Sequence, residues 1–214
     1  KIAATLPREE VADVLLLRDK LNRSDLSKNL KIATSGPRTK AQLLGINSGF
    51  NIVPIRGNIQ TRIDKMNTEK LDGLIVAKAA LNRLKVSHPN IYIFSEEEML
   101  PAAAQGAIGI EVIKENLETK TNNLLESLND NLTFEATGIE RAVVAALQGN
   151  CLSPISALCK IRDQDVELKV RVSNQKGSEV YDQKEIFTLD NKIQALEDFV
   201  EKLISNGAKT LIQN

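Results

Sequence analysis

The chain has 214 residues, 42% hydrophobic and 26% charged, which is enough for one large domain or two small ones with packed cores. Lys+Arg and Asp+Glu balance at 28 each and aromatic residues make up 3%, so the basic charge and stacking surface of a nucleic-acid binder are both missing. No apolar run approaches the roughly 18–20 residues of a membrane span, the two cysteines make no disulfide scaffold and fit a reducing cytoplasm, and the single histidine, His88, excludes a His-rich metal site.

"KIAATLP" carries no charged-then-apolar leader pattern and reads as a strand. It has no initiator Met, and further residues are expected upstream. "PREEVADVLLL" reads as a linker and a second strand. Residues 31–86 then hold three strand-then-helix units. In "LKIATSGPRTKAQLLG" an apolar strand runs to Thr34, and Pro37 suits the first turn of a helix that Ser35 or Gly36 can cap. In "NIVPIRGNIQTRIDKM" a strand to Ile55 turns at Gly57-Asn58 into a helix. In "LDGLIVAKAALNRL" a strand through Val76 precedes a helix with Leu81 and Leu84 on one face. Strands alternating with short helices imply a parallel sheet with right-handed crossovers.

Residues 101–128 run from a Gly/Ala-rich loop, "PAAAQGAIGIEV", into the helix "ENLETKTNNLLESL". The pattern then changes. "FEATGIERAVVAAL" is an amphipathic helix ending at Gly149. "PISALCKI", "VELKVRVS" and "EVYDQKEIF" are strands joined by hairpin-length turns, and "NKIQALEDFVEKLIS" is a helix stopping at Gly207. The expected fold class is α/β: a parallel-sheet domain followed by a small α+β domain with a three-stranded antiparallel sheet.

Ligands of open parallel sheets bind beyond the C-terminal strand ends. Thr34, Ser35 and Arg38 follow the first strand, Arg56 and Arg62 the second, and Lys78 and Arg83 the third. Hydroxyls and backbone N–H groups at helix starts favour anions, and arginine adds a planar fork for carboxylate or phosphate. The set suggests a ligand with several negative groups: any one of these arginines on its own reads first as a solvated surface residue, and it is the coincidence of Arg38 and Arg56 at adjacent strand ends that raises a binding role to equal standing. No Gly-x-Gly-x-x-Gly or Walker loop points to a nucleotide. Cys159 alternates within a strand and reads as a buried small residue. Cys151, in "LQGNCLSPIS", lies in a tight loop between a helix end and a strand. It is either another small residue or a reactive thiol.

"IATSGPRTKAQL", "IRGNIQTRIDKM", "DGLIVAKAALNRL", "AAAQGAIGIE" and "ERAVVAALQGNCLSPI" occur in order and at compatible spacing. Together they resemble the porphobilinogen deaminase (hydroxymethylbilane synthase) family over nearly the whole chain. The resemblance implies a cytoplasmic monomeric transferase that joins four porphobilinogens head to tail with loss of ammonia, on the route to haem and related tetrapyrroles. It implies a dipyrromethane cofactor held covalently by a thioether to Cys151. It also assigns Arg38, Arg56, Arg62 and Arg83 to cofactor or substrate carboxylates, Thr34 and Ser35 to the same helix start, and Gln105 and Gly106 to a hinge loop. No nucleic acid, membrane or metal is implied.

Three positions depart from the family pattern. Thr39 stands where a second arginine is usual, and Ala104 where a glycine precedes Gln-Gly. The family's catalytic aspartate belongs to a His-Ser-x-Lys-Asp segment that is not in this chain, so the chain alone is expected to be inactive. The resemblance further implies that residues 1–10 and 101–128 belong to a first α/β domain, 11–100 to a second α/β domain of periplasmic-binding-protein-like type, and 129–214 to the C-terminal domain carrying the cofactor cysteine. The alternative reading is a non-catalytic binding module for a small polycarboxylate.

Overall fold

In the computed structural model, residues 1–20, 26, 29–113 and 119–213 are described. Three sheets organise them. The largest has five strands: β2 (Asp13–Leu17), β3 (Lys31–Thr34), β4 (Asn51–Pro54), β5 (Gly73–Ala77) and β6 (Ile91–Ile93), in the order β4-β3-β5-β2-β6. β3 pairs in parallel with both β4 and β5, as the three strand-helix units require. β2 runs antiparallel to β5 and to β6, so the sheet as a whole is mixed. β6 carried no clear sequence signal. It is a three-residue strand at the sheet edge.

β2 is buried at all five positions, and side chains alternate across a strand. Val14 and Leu16 therefore join Ile63, Met66, Leu74 and Leu81 on one face, while Leu15 and Leu17 join Ile32, Leu43, Phe50 and Met99 on the other. Helices α2 (Ile59–Thr68) and α3 (Lys78–Leu84) cover the first face and α1 (Pro37–Ile46) the second. With both faces covered, the strands read as apolar runs rather than alternations. α1 starts at Gly36 with Pro37 in its first turn and no side-chain cap. α2 is capped by Asn58, whose side chain accepts from Thr61 N at 2.8 Å.

β1 (Ile2–Thr5) pairs antiparallel with β7 (Gly109–Glu111), a strand inside what reads by sequence as loop. Helix α4 is described over Thr119–Leu128, and residues 115–118 of the expected helix lie outside the described residues. α5 (Asn131–Ala146) starts three residues before its apolar pattern does. Asp130 caps it by accepting from Thr133 N at 2.8 Å, and that hydrogen bonding holds the Asp130 carboxyl below its ordinary range.

β8 (Ile155–Arg162), β9 (Asp165–Ser173) and β10 (Val180–Thr188) form the expected antiparallel sheet in the order β10-β9-β8. One face packs against α5 and α6 (Lys192–Ser205) through Val143, Val166, Leu168, Val170, Phe199 and Leu203. Gly207, at φ 84°, ends α6, and a short helix α7 (Ala208–Gln213) follows.

Candidate functional site

Because β2 runs against its neighbours, its first residue lies opposite the last residue of β5, Asp13 facing Ala77. Asp13 therefore sits at the sheet edge where β3 and β5 end and where α1 begins. Its parity with Leu15 and Leu17 turns it toward the α1 face. It is 3% exposed, and its Oδ2 lies 2.9 Å from Arg38 Nη1, an ion pair without hydrogen-bond alignment; that oxygen has no hydrogen-bond partner. Arg38 Nη1 also donates to Leu100 O at 2.8 Å, and Nη2 donates to Gln105 Oε1 at 3.4 Å. A buried carboxylate thus balances the Arg38 charge, and the loop after residue 100 holds its fork in place.

This edge opens into a cavity of about 720 Å³, within the roughly 300–1,000 Å³ range of small-molecule clefts. The sheet side supplies Asp13, Thr34, Ser35, Arg38, Thr39 and Arg62. The loop at 102–105 supplies Ala102, Ala103 and Gln105. The opposite wall is Arg141, Val144 and Ala145 of α5, followed by Gly149, Asn150, Cys151 and Ser153. Asp13 is the one acidic side chain among the described lining residues.

Of the residues expected at the site, Thr34, Ser35, Arg38, Arg62, Gln105 and Cys151 line this one cavity; Arg56, Arg83 and Gly106 do not. Arg62 is held by Nε donating to Gly57 O at 2.7 Å, with Nη1 3.5 Å from Ser35 Oγ. Arg56 is exposed at the start of the turn into α2, where its carbonyl accepts from Lys65 Nζ at 3.0 Å. Arg83 donates to Gly106 O at 2.5 Å, which ties α3 to the 104–106 loop. Gly106, at φ 83°, sits so close to Glu9 O that a Cβ would overlap it.

The two cysteines differ physically. Cys159 is buried, and its thiol is pushed up to about 12 by burial and then by the nearby Glu140 charge; it is chemically quiet. Cys151 is exposed on the cavity wall. Its loop is built by Asn150, whose Oδ1 accepts from Leu152 N at 2.8 Å and whose own N donates to Ser153 Oγ at 3.0 Å.

Sequence reasoning missed three groups. Asp13 was visible as the lone acid heading an apolar strand, "DVLLL". Arg141 lies in the quoted "ERAVVAAL" run, but helical spacing alone does not say which side faces a cleft. The Arg8–Glu140 pair spans 132 positions and has no local signal. Glu140 is fully buried, takes Arg8 Nη1 at 2.7 Å and Nη2 at 3.1 Å, and accepts from Ala104 N at 2.6 Å and Cys159 N at 2.7 Å. Burial raises the Glu140 carboxyl, and the hydrogen bonds and charge of Arg8 pull against that rise.

A dipyrromethane carrying acetate and propionate groups fits the groups present: an exposed thiol on one wall, and on the wall across from it the Arg62 guanidinium and the hydroxyls at the start of α1. No group of three or more His, Cys, Asp or Glu suited to a metal occurs among the described residues. No helix among them is long and apolar enough to cross a membrane.

Comparison with known proteins agrees with this geometry. The sequence model described as "Porphobilinogen deaminase, dipyromethane cofactor binding domain" matches residues 1–121, and that described as "Porphobilinogen deaminase, C-terminal domain" matches residues 134–203. The porphobilinogen deaminase of Campylobacter lari is 34% identical over 99% of this chain and 68% of its own length. That of Clostridium acetobutylicum is 43% identical over 75% of this chain and 54% of its own. The chain thus aligns with about half to two thirds of the length of these relatives. Among solved structures, a Salmonella typhimurium periplasmic binding protein is 20% identical, with a TM-score of 0.34 over 59% of this chain and 55% of its own, a likeness too slight to bear on the fold. The matched domains and the relatives place this chain in the porphobilinogen deaminase family.

Proposed function

We propose that the protein to which this sequence belongs is a hydroxymethylbilane synthase, joining four porphobilinogens stepwise with release of ammonia. The observation that carries the reading is the exposed Cys151 thiol facing Arg62, Ser35 and the Asp13–Arg38 pair across one cavity. A simple polycarboxylate-binding module accounts for the cations but gives the thiol nothing to do. When bound through a thioether to Cys151, the dipyrromethane supplies the pyrrole end on which the chain is extended.

The protein's own residues bind and orient. Arg62 and the hydroxyls of Thr34 and Ser35 offer donors to carboxylates at the start of α1, where backbone N–H groups also favour anions. Arg38 presents a charge already balanced by Asp13, so it fixes an orientation more than it supplies net attraction. The 104–106 loop, tied to Arg8, Arg38 and Arg83, joins the elements around the cavity and suits a hinge. We group residues 1–10 with 101–128, 11–100, and 129–214 as three domains, a division supported by the separate β1–β7, five-stranded and three-stranded sheets. Porphobilinogen as substrate, a cytoplasmic location and a monomeric state follow from the same reading.

The test is hydroxymethylbilane formation by the protein at the length of its relatives. It is expected to proceed there, to be absent in the 214-residue chain alone, and to be abolished by Cys151→Ser with folding retained, since an exposed loop substitution is mild. Full activity of the Cys151→Ser protein would overturn the proposal.

A further inference from the structure

Arg141 is a cation on the cavity wall for which the assignments above give no use. It is exposed, lines the cavity, and has no hydrogen-bond or ion-pair partner among the described residues. Its direction is set by its neighbour. Glu140 is anchored by Arg8, Ala104 N and Cys159 N, which pins the rotation of α5. One residue further on, about 100° around the helix, Arg141 emerges into the cavity. Val144 and Ala145 share its face at the i+3 and i+4 spacings and line the same wall. α5 then ends and the loop carrying Cys151 begins.

We propose that Arg141 is a carboxylate-binding residue contributed by the C-terminal part of the chain, taking a carboxylate of the pyrrole ligand on the Cys151 side of the cleft. The inference rests on the reading of the cavity as a pyrrole-polycarboxylate site. Arg62 offers donors from the sheet side, and Arg141 is the one charged side chain on the α5 and Cys151 wall among the described residues. A ligand fixed to Cys151 therefore meets Arg141 from the wall to which it is attached, and Arg62 from across the cleft. An unpaired guanidinium facing a cavity costs little in the empty protein and gains a charge-assisted, two-pronged contact when a carboxylate arrives.

The test is calorimetric titration of porphobilinogen, which bears an acetate and a propionate, into the 214-residue chain and its variants. The state of Cys151 is first established by intact mass. Arg141→Gln is expected to weaken binding about tenfold or more, the scale of one charged hydrogen-bonded contact. Arg141→Lys is expected to lose less, because it keeps the charge but not the fork. Arg162→Gln, at the exposed end of β8, is expected to bind as the unsubstituted chain does. Thermal midpoints of all three should stay together, which separates a ligand contact from a structural one. Equal affinity of Arg141→Gln and the unsubstituted chain would overturn the role of Arg141 and leave the site reading intact. Equal loss in the Gln and Lys variants with a lowered midpoint would also overturn it, as a structural effect. No binding by the unsubstituted chain would bring down the site reading, and Arg141 with it.

Discussion

Asp13 and Arg38 illustrate how one residue fixes another. Arg38 reads by sequence as a free cation at a helix start, but 2.9 Å away lies a carboxylate that is almost fully buried. Removing one partner of such a pair leaves a charge without water or counter-charge, which costs about 3 kcal/mol or more. Asp13→Asn is therefore expected to lower stability in urea denaturation by about 3 kcal/mol, with part of the loss recovered in the Asp13→Asn/Arg38→Gln double variant. Additive losses in the double variant would show that the two side chains do not act as a pair. Ala104 makes a second case at the same scale. Its φ is 61°, the left-handed region, and its N–H is held at 2.6 Å from Glu140 Oε2. A Cβ there is strained by about 1 kcal/mol, partly offset by the chain entropy that glycine loses on folding. Ala104→Gly should thus raise the thermal midpoint slightly. A lowered midpoint would show that the loop does not need this backbone conformation.

The elements were legible to the extent that their signals were local. The three strand-helix units, α5, the β8–β10 meander and α6 all follow from apolar periodicity and turn residues, signals carried within each segment itself. β6 and β7 were not legible. Each has three residues, and each exists only because β2 or β1, far away in sequence, offers a partner edge. The direction of β2 was also silent, since a strand buried on both faces reads alike in either direction. That direction decides the chemistry: parallel to β5, Asp13 would lie at the far edge of the sheet from Cys151. The cysteine loop, the helix-start hydroxyls and most of the arginines could be picked out as candidates. The pairing of Arg8 with Glu140 and the facing of Arg141 required the three-dimensional contacts.

Across the whole molecule, the five-stranded sheet and the C-terminal sheet meet through charged groups. Glu96 takes Lys160 and, at 3.1 Å, Lys169; Arg171 reaches Glu97 O at 3.1 Å and Gln42 Oε1 at 2.9 Å. Burial raises the Glu96 carboxyl, but hydrogen bonds from Lys160 and Lys169 outweigh it and hold the group below its ordinary value of 4.5. A carboxyl lowered on folding adds stability that is present above that value and is lost as pH falls through the folded one. Glu140, raised by burial, works in the opposite direction, so the difference between proteins is the clean readout. Midpoints followed from about pH 6 to 3 should fall less steeply for Glu96→Gln than for the unsubstituted chain. Parallel curves would show that this contact does not couple the two parts.

The central claim is that Cys151 is the attachment point for a pyrrole chain in this cavity. Intact mass with peptide mapping, before and after incubation with porphobilinogen, tests it most directly. In the protein at the length of its relatives, the account predicts added mass in whole pyrrole units on Cys151 and none on Cys159, the two being told apart by fragmenting the segment that carries both. Pyrrole carried on any other residue, or an unmodified Cys151 in a protein that turns over porphobilinogen, would contradict it.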